Sequence, residues 1–430
     1  MTIKTISLPG LTITCVSMEK FKTIGISLRI IGPFEQRSLN DRALLGSVLL
    51  GASKKYPNKQ KLNRRLDYLY STELQTSTQK VGLQSVVSFD MLLVNPKYVH
   101  HSEHLISDGL ELLSDVLFRP NLRKGLFLKH LVKEEIRLLK EELEVTYHDK
   151  SEYAFHLFKN KMFSEEMFRF NPKGELESLQ EVTSETLMNC YKEMMNSNQK
   201  EMYIIGDIDA DEIIDIISNT FRFEEGLPQS RWLDDEIVKE SEPQTYKEHG
   251  ELSQSRITMG YRTNILSNHE DTEAMILFNI LFGESDQAIL FQTIRESHHL
   301  GYYVSSSYFG NKGVLFVFAG VAKGDEDQTI LLIQDSLKQI QLHQLSEESL
   351  DLAKETLINR IKRSSDSLSS VIARHVMNMK LFNTPYNEED KIEKILKVTL
   401  EDIFRVSHSL RLDTVHIYQN QGENHENNPS

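Results

Sequence analysis

Two histidines and a glutamate between residues 100 and 104 form the first pattern in this sequence that could do chemistry. His100, Glu103 and His104 satisfy the spacing H-x-x-E-H. When such a pattern lies on a helix, its two imidazoles share one face and can bind zinc, and the glutamate can activate a zinc-bound water. The pattern by itself therefore suggests hydrolysis by an independent zinc peptidase that uses His100 and His104.

The sequence around this pattern argues against a zinc site. It follows Asn95-Pro96 and opens a helix that we predict over residues 102–117, so His100 lies at or before the helix start and an i,i+4 geometry is not assured. The apolar face of that helix is formed by Ile106, Leu110, Leu113 and Leu117. His104 is instead in line with Asp108, Glu111 and Asp115 on the polar face. We interpret the two histidines as exposed and the match to the zinc pattern as incidental.

A second pair of residues, Arg295 and Tyr302, lies in the segment LFQTIRESHHLGYYVSSSYF at residues 290–309. Arginine offers a fixed, charged fork of donors and tyrosine a hydroxyl donor, so the two can meet one oxygen from two directions. Taken singly, Arg295 would form a surface ion pair and Tyr302 would begin a half-buried strand. Together they could stabilise a developing oxyanion.

Length and composition restrict the classes of protein that this chain could be. With 430 residues it should form two or three domains, and its net charge of −14, with basic and acidic residues mixed along the chain, disfavours nucleic acid as a partner. We find neither a signal peptide nor a run of about 20 apolar residues, and we expect a soluble, cytoplasmic protein without a membrane partner. Cys15 and Cys190 stand alone and are expected to be small buried residues.

Period-two and period-three-to-four patterns alternate along the chain in an order that occurs twice. In the first half we predict strands at 11–16, 24–31, 73–78, 81–94 and 201–205, and helices at 40–50, 59–69, 102–117, 127–145, 151–163, 184–195 and up to 221. In the second half we predict strands at 256–261, 302–308, 314–321 and 415–418, and helices at 272–282, 288–297, 327–342 and 347–381.

The two halves also match locally. LLGSVLLGAS at residues 44–53 resembles ILFNILFGES at residues 276–285, and the segments that follow each are alike. We therefore predict an α+β fold of two homologous domains, each a mainly antiparallel sheet with helices packed on one face. The domains would span residues 1–225 and 251–420, joined by an acidic, Pro-containing linker at 226–250 and followed by a disordered tail at 421–430.

The segment that contains Arg295 and Tyr302 resembles a signature of the pitrilysin/insulinase family of zinc metallopeptidases, in which a tyrosine follows the arginine by seven residues. The preceding helix and Gly283 also fit. The resemblance implies a clamshell of duplicated halves, of which this chain has the size of one half-shell. It also implies that Arg295 and Tyr302 donate hydrogen bonds to the carbonyl of the scissile peptide. The sequence departs from the family at His298-His299, where a basic residue and a glycine are usual, and at the shortened turn 283–286.

The zinc motif of that family is missing from the place where the resemblance puts it. The helix that would carry it resembles residues 42–57, and when the family's trailing glycine is matched to Gly51, Arg42 and Gly46 hold the two histidine positions and Leu45 the glutamate position. Glu135 matches the distal ligand, and on so charged a helix we expect it to lie on a solvated face. Glu181 lies about as far from His104 as the family's distal ligand would, but in a predicted loop.

The pattern as a whole resembles the zinc-less subunits of heterodimeric members of the family, the processing peptidases among them. It implies that this chain binds no cofactor itself and pairs with a zinc-bearing sister subunit, whose active site it completes with Arg295 and Tyr302 for peptide processing. A peptide or protein substrate would add a strand to a sheet edge. Two alternatives remain: a peptide-binding or scaffold protein without a catalytic role, and the independent zinc peptidase that uses His100 and His104.

Overall fold

A computed structural model describes residues 2–100, 102–229, 231–235 and 242–420. The chain forms two compact units. The first contains residues 1–145, 170–232 and 364–386, and the second contains residues 146–169, 233–363 and 387–430. The predicted disordered tail, residues 421–430, lies outside the described residues. Among the described residues, no helix is both long enough and apolar enough to span a bilayer.

Thirteen strands lie in the described part of the chain: β1 Thr2–Leu8, β2 Leu11–Ser17, β3 Thr23–Pro33, β4 Glu73–Val81, β5 Gln84–Val94, β6 Leu122–Arg123, β7 Leu126–Phe127, β8 Gln199–Gly206, β9 Gln244–Gly250, β10 Ser255–Arg262, β11 Gly301–Phe309, β12 Val314–Val321 and β13 Arg411–Asn420. The α-helices there are α1 Leu39–Gly51, α2 Lys59–Tyr68, α3 Leu105–Phe118, α4 Lys129–His148, α5 Lys150–Met162, α6 Ser184–Asn196, α7 Ala210–Thr220, α8 Thr272–Asn279, α9 Glu326–Gln341, α10 Glu347–Ser364, α11 Leu368–Phe382, α12 Glu388–Lys397 and α13 Leu400–Ser407.

The first unit is built on a six-stranded sheet with the order β1-β2-β8-β3-β5-β4. Every neighbouring pair is antiparallel except β2 and β8. The inner strands are rich in Ile, Leu and Val and are buried along most of their length, whereas the edge strand β4 is mostly polar. A polar edge strand discourages uncontrolled pairing with other chains.

The second unit repeats this plan in a five-stranded sheet with the order β11-β12-β10-β13-β9. When β4, β5, β3, β8 and β2 are read from the edge of the first sheet, they correspond one by one to β11, β12, β10, β13 and β9. The last pair in each series is parallel and the other pairs are antiparallel. The predicted α+β fold of two homologous domains on mainly antiparallel sheets is confirmed.

Each unit also contains one helix that comes from the opposite half of the sequence. Helix α11 belongs to the first unit and packs on β3, where a side chain at Gly25 would contact Leu368 and Ile372 at 3.7 Å. Helix α5 belongs to the second unit and packs on β10, where a side chain at Gly260 would come within 2.7 Å of Phe158. A glycine in the central strand thus admits each exchanged helix. The predicted domain ranges, given as continuous segments, remain predictions.

Several elements differ from the pattern-based prediction. The predicted helix at 347–381 is two helices, α10 and α11, because Ser367 caps the start of α11 by accepting a hydrogen bond from the Ser370 amide. Strand β9 lies in the segment predicted as a linker, and strand β1 and helices α12 and α13 were not predicted. The predicted helix at 288–297 ends in a wide π-helical turn, Phe291–Ser297.

Candidate functional site

Arg42, which matches the first histidine of the zinc motif, is a buried structural residue. Its side chain is 1% exposed and donates hydrogen bonds to Ser85 Oγ at 2.9 Å, Ser85 O at 3.0 Å and Asn198 Oδ1 at 2.7 Å. These acceptors are neutral, and burial lowers the pKa of the guanidinium. The side chain therefore ties α1 to β5 and to the residue before β8, and it is not available to a ligand.

Gly46 and Leu45, which match the second histidine and the glutamate, are equally enclosed. A methyl group at Gly46 would come within 2.9 Å of Thr76 Cβ and Cγ2 and closer still to Thr76 Oγ1, and Leu45 is fully buried. At this point α1 lies so close to β4 that only glycine fits without a shift of the strand. An imidazole has no room there.

The partly exposed side of α1 carries no imidazole either. Its residues include Asp41, Ala43, Ser47 and Leu50, and the helix contains no His, Cys or Glu. A shift of the alignment by one residue would therefore still leave the motif without an imidazole. The loss of the zinc motif does not depend on which register is chosen.

Glu135, the counterpart of the distal ligand, is buried and paired with a lysine. It is 5% exposed, and Lys59 Nζ donates a hydrogen bond to Glu135 Oε1 at 2.6 Å. The expectation that Glu135 lies on a solvated face is wrong. It belongs to the buried stripe of α4, in phase with Leu131 and Leu139, and that i±4 spacing could have revealed it. The partner could not be predicted in this way, because Lys59 is 76 residues away from Glu135 in the sequence.

The site built from α1, α4 and Lys59 has a clear chemical character. Gly51, near the end of α1, lies against Leu131 of α4, one turn before Glu135. Beside the carboxylate that the resemblance assigns to the metal there is thus an ammonium group in hydrogen-bonding distance. The pair compensates the buried negative charge with a single positive charge, and it can neither activate water nor polarise a carbonyl as a zinc ion does.

The H-x-x-E-H pattern at 100–104 does not form a zinc site in the described structure. Helix α3 begins at Leu105, so His100 and His104 both precede it and do not share a helical face. The backbone carbonyl of His100 accepts a hydrogen bond from the Tyr70 hydroxyl. Glu181 ends a short 3₁₀ helix and is exposed. Across the residues that the structure describes, which omit residue 101, no three His, Cys, Asp or Glu side chains are placed to hold a metal ion.

In the second unit, Arg295 and Tyr302 are accessible. The Arg295 side chain is 50% exposed, stacks on the Phe291 ring at 4.9 Å, and makes only a long contact of 4.0 Å with Glu296. Tyr302 is 64% exposed near the start of β11, and its hydroxyl has no hydrogen-bond partner among the described residues. Arg295 lies in the π-helical turn, a widening of the helix that often marks functional sites. Both side chains are free to meet an incoming acceptor.

The loop between them shows how the chain accommodates its departure from the family pattern. His299, at the position where a glycine is usual, adopts a left-handed backbone conformation with φ of 57°, which is unfavourable for a residue with a side chain. A His299 Nδ1 contact with the Arg295 carbonyl at 3.2 Å accompanies this conformation. The turn thus keeps the backbone geometry of a glycine while bearing an imidazole.

Comparisons with known proteins show which sequences and structures this chain resembles. Residues 181–357 match the family model described as the peptidase M16 inactive domain. The chain is 28% identical to the probable inactive metalloprotease YmfF of Bacillus subtilis over 410 residues, 95% of each protein. It is 21% identical to the uncharacterized zinc protease YmxG of the same organism over 299 residues, 69% of this chain and 70% of that one. The crystal structure of a conserved protein from Enterococcus faecalis superposes with a TM-score of 0.93 at 25% identity and covers 98% of this chain and 99% of that one.

These findings confirm the resemblance to the pitrilysin/insulinase, or M16, peptidases. Residues 181–357 match a model of this family, and the chain is similar over nearly its whole length to a relative described as inactive. A zinc protease is also among its relatives. In this chain α1 carries no imidazole, and Glu135 is paired with Lys59.

The close approach of α1 to β4 predicts the effect of a methyl group at Gly46. Gly46→Ala is expected to lower the free energy of unfolding by about 1–3 kcal/mol, because the methyl overlaps the Thr76 side chain. Ser47→Ala, on the partly exposed face of the same helix, is the control and should change it by less than about 0.5 kcal/mol. Urea unfolding measures both changes. If Gly46→Ala lowered the free energy of unfolding no more than Ser47→Ala does, β4 would accommodate the methyl group without loss of stability, and the prediction would be wrong.

The pairing of Lys59 with Glu135 predicts a non-additive pair of substitutions. Lys59→Met leaves a buried carboxylate without its ammonium partner, and we expect a loss of about 1–3 kcal/mol in the free energy of unfolding. Glu135→Gln removes the charge that needs the partner, so the double variant should be more stable than Lys59→Met alone. If the two losses simply add in urea unfolding, the carboxylate does not depend on Lys59.

The left-handed conformation of His299 predicts that a glycine is preferred there. His299→Gly should raise the free energy of unfolding by up to about 1 kcal/mol, because glycine adopts a positive φ without strain. The neighbouring His298 has φ of −105°, so His298→Gly is a matched control that should destabilise the protein. Thermal unfolding of the two variants should shift Tm in opposite directions; a shift of the same sign in both would contradict the assignment of strain to residue 299.

Proposed function

We propose that this M16 homologue is the zinc-less subunit of a two-chain metallopeptidase and that it supplies Arg295 and Tyr302 to the active site of a zinc-bearing sister subunit. The observation that carries the proposal is a contrast between the two units. The positions that would hold the metal are filled by Arg42, Leu45 and Gly46 in a packed interior, whereas Arg295 and Tyr302 remain exposed.

The chemistry of such a subunit follows from its donors. In peptide hydrolysis a water molecule adds to the carbonyl carbon, negative charge grows on the carbonyl oxygen, and the C–N bond then breaks to give a carboxylate and an amine. The guanidinium of Arg295 and the hydroxyl of Tyr302 would donate hydrogen bonds to that oxygen. Loss of one such donor typically lowers the rate about 10²–10³-fold. The partner would supply the zinc ion and the residue that activates the water.

The sheets offer a way to hold an extended substrate. Among the described strands, β4 and β11 each pair on one side only, with β5 and β12 respectively, and therefore present an unpaired edge. A peptide can add to such an edge through backbone hydrogen bonds, which give affinity with little dependence on sequence. Tyr302 lies on β11 itself, so a peptide paired with that strand would pass beside the tyrosine hydroxyl.

A scaffold protein without a catalytic role is the second candidate. The paired and buried state of Glu135 fits either function, because neither uses a metal ion bound by this chain. The two candidates differ in what they need from Arg295 and Tyr302. A scaffold that merely holds a peptide does not need donors aimed at a developing oxyanion.

Substitution of the two donors in the purified two-chain complex distinguishes the candidates. We expect the isolated chain to hydrolyse no peptide, and we expect Arg295→Ala and Tyr302→Phe each to lower kcat of the complex about 10²–10³-fold. Arg363→Ala, which truncates an exposed arginine of α10 that forms no ion pair with a described residue, should leave kcat unchanged.

Assembly must be measured beside activity. Size-exclusion chromatography of the Arg295→Ala complex should show the same association as the wild type, because the side chain is exposed and nearly unpaired. Full activity of both donor variants would contradict the catalytic proposal and would favour the scaffold protein. Retention of stoichiometric zinc and peptide hydrolysis by the isolated chain would rule out both.

A further inference from the structure

Two stretches of the first unit contain no acidic residue. They are residues 42–66 and 116–133, and together they carry twelve Lys and Arg. The chain as a whole has 63 Asp and Glu and 49 Lys and Arg, and all 63 acidic residues lie outside these two stretches. The two stretches are separated by about fifty residues of sequence that carry both signs of charge.

The fold joins the two stretches. Ser53 pairs with Pro120 in an isolated β-bridge, the Lys54 amide donates to the Arg119 carbonyl at 2.8 Å, and the Asn121 amide donates to the Ala52 carbonyl at 3.2 Å. The hairpin of β6 and β7 follows at once, with the tight turn Lys124-Gly125 between its strands. Lys54, Lys55, Arg123 and Lys124 are therefore brought to one part of the first unit.

We use the term basic surface for the exposed cations of these two stretches that form no ion pair with a described residue. They are Lys54, Lys55, Lys61, Arg64, Arg123, Lys124, Lys129 and Lys133. Three other cations of the same stretches already have a carboxylate partner, since Lys59 pairs with Glu135, Arg65 with Asp108 at 2.9 Å and Arg119 with Asp115 at 4.0 Å. The remaining one, Arg42, is buried. Elsewhere in the described chain, many exposed cations have a carboxylate within 4 Å, as in Arg137–Glu141 and Lys397–Glu393.

A concentration of uncompensated positive charge has a physical consequence. The cations repel one another, and this repulsion is relieved when an anion occupies the surface. The basic surface also lies next to the degenerate metal site, because α2 carries both Lys61 and Arg64 and begins at Lys59, the partner of Glu135. An anionic group bound there would lie close to the position that zinc occupies in active relatives.

We propose that the basic surface binds a short acidic segment of a polypeptide. The length of the ligand follows from the rest of the chain, which is strongly acidic. At physiological ionic strength charges act over about 8 Å, so a segment that fits within the basic surface feels attraction. A long nucleic acid or an anionic bilayer extends beyond it and meets the repulsive remainder of the molecule. The inference does not depend on the role of Arg295 and Tyr302.

Fluorescence anisotropy with a fluorescein-labelled hexaglutamate peptide and the full-length protein tests this assignment. The peptide should bind at low ionic strength, and its Kd should rise at least about tenfold in about 0.5 M salt, where screening shortens the range of the charges. The variant K54E/K55E/R123E/K124E should weaken binding at least about tenfold, because it reverses the four cations that the β-bridge brings together.

A matched control separates the surface from the net charge. The variant K150E/K323E/K362E/R363E reverses four exposed cations of the second unit that form no ion pair with a described residue, and it changes the net charge by the same amount. It should bind hexaglutamate within about threefold of the wild type, since none of the four cations belongs to the basic surface. Circular dichroism and Tm of both variants establish that each is folded.

Three outcomes would overturn the proposal. If the wild-type protein does not bind hexaglutamate at low salt, the basic surface does not bind an acidic segment. Equal weakening in both variants assigns the binding to overall charge and not to the basic surface. Tighter binding of a single-stranded oligonucleotide or of phosphatidylserine vesicles than of the peptide, lost in K54E/K55E/R123E/K124E, assigns the surface to another class of partner.

Discussion

The close packing of helix α1 on the first sheet is the constraint on which the functional character of this chain depends. Gly46 lies so near Thr76 that a methyl group does not fit, and Arg42 is held in the core by neutral acceptors on β5 and before β8. In a zinc-bearing relative the same helix must leave space for two imidazoles and a water molecule. Here that volume is occupied by the protein itself, so the loss of the metal site is built into the packing of the core as well as into the identity of three residues.

The buried charge of Glu135, at the position that the resemblance assigns to the distal zinc ligand, is compensated by a lysine. A buried carboxylate without a partner is costly, and Glu135 survives in the core of the first unit because Lys59 reaches it from the start of α2. In the second unit the two residues that the resemblance singles out are exposed. Arg295 and Tyr302 lie on a π-helical turn and an edge strand, with few contacts to restrain them. The first unit thus encloses Arg42 and Glu135 and the second leaves Arg295 and Tyr302 exposed, and this contrast is what the proposed complementing subunit would require.

The repeated architecture explains how one chain can carry both characters. The strand orders of the two sheets correspond position by position, and a glycine in each central strand admits a helix from the other half of the sequence. Because α5 and α11 are exchanged, neither unit is complete without a segment from the opposite half. Substitutions in α1 and in the segment around Arg295 can still change one unit without altering the plan of the other.

The sequence alone determined the order of most strands and helices, the duplication, the absence of imidazoles from the first long helix, and the spacing of seven residues between an arginine and a tyrosine. These are local properties, read from periodicity and spacing, and they need no knowledge of distant contacts. Only the tertiary structure decided the burial of Glu135 by Lys59, the exchange of α5 and α11, the split of the predicted helix at 347–381, and the union of two acid-free stretches into one basic surface. The physical reason is the same for the burial, the exchange and the surface: each joins residues far apart in sequence, and a one-dimensional pattern carries no record of which of its segments the fold brings together.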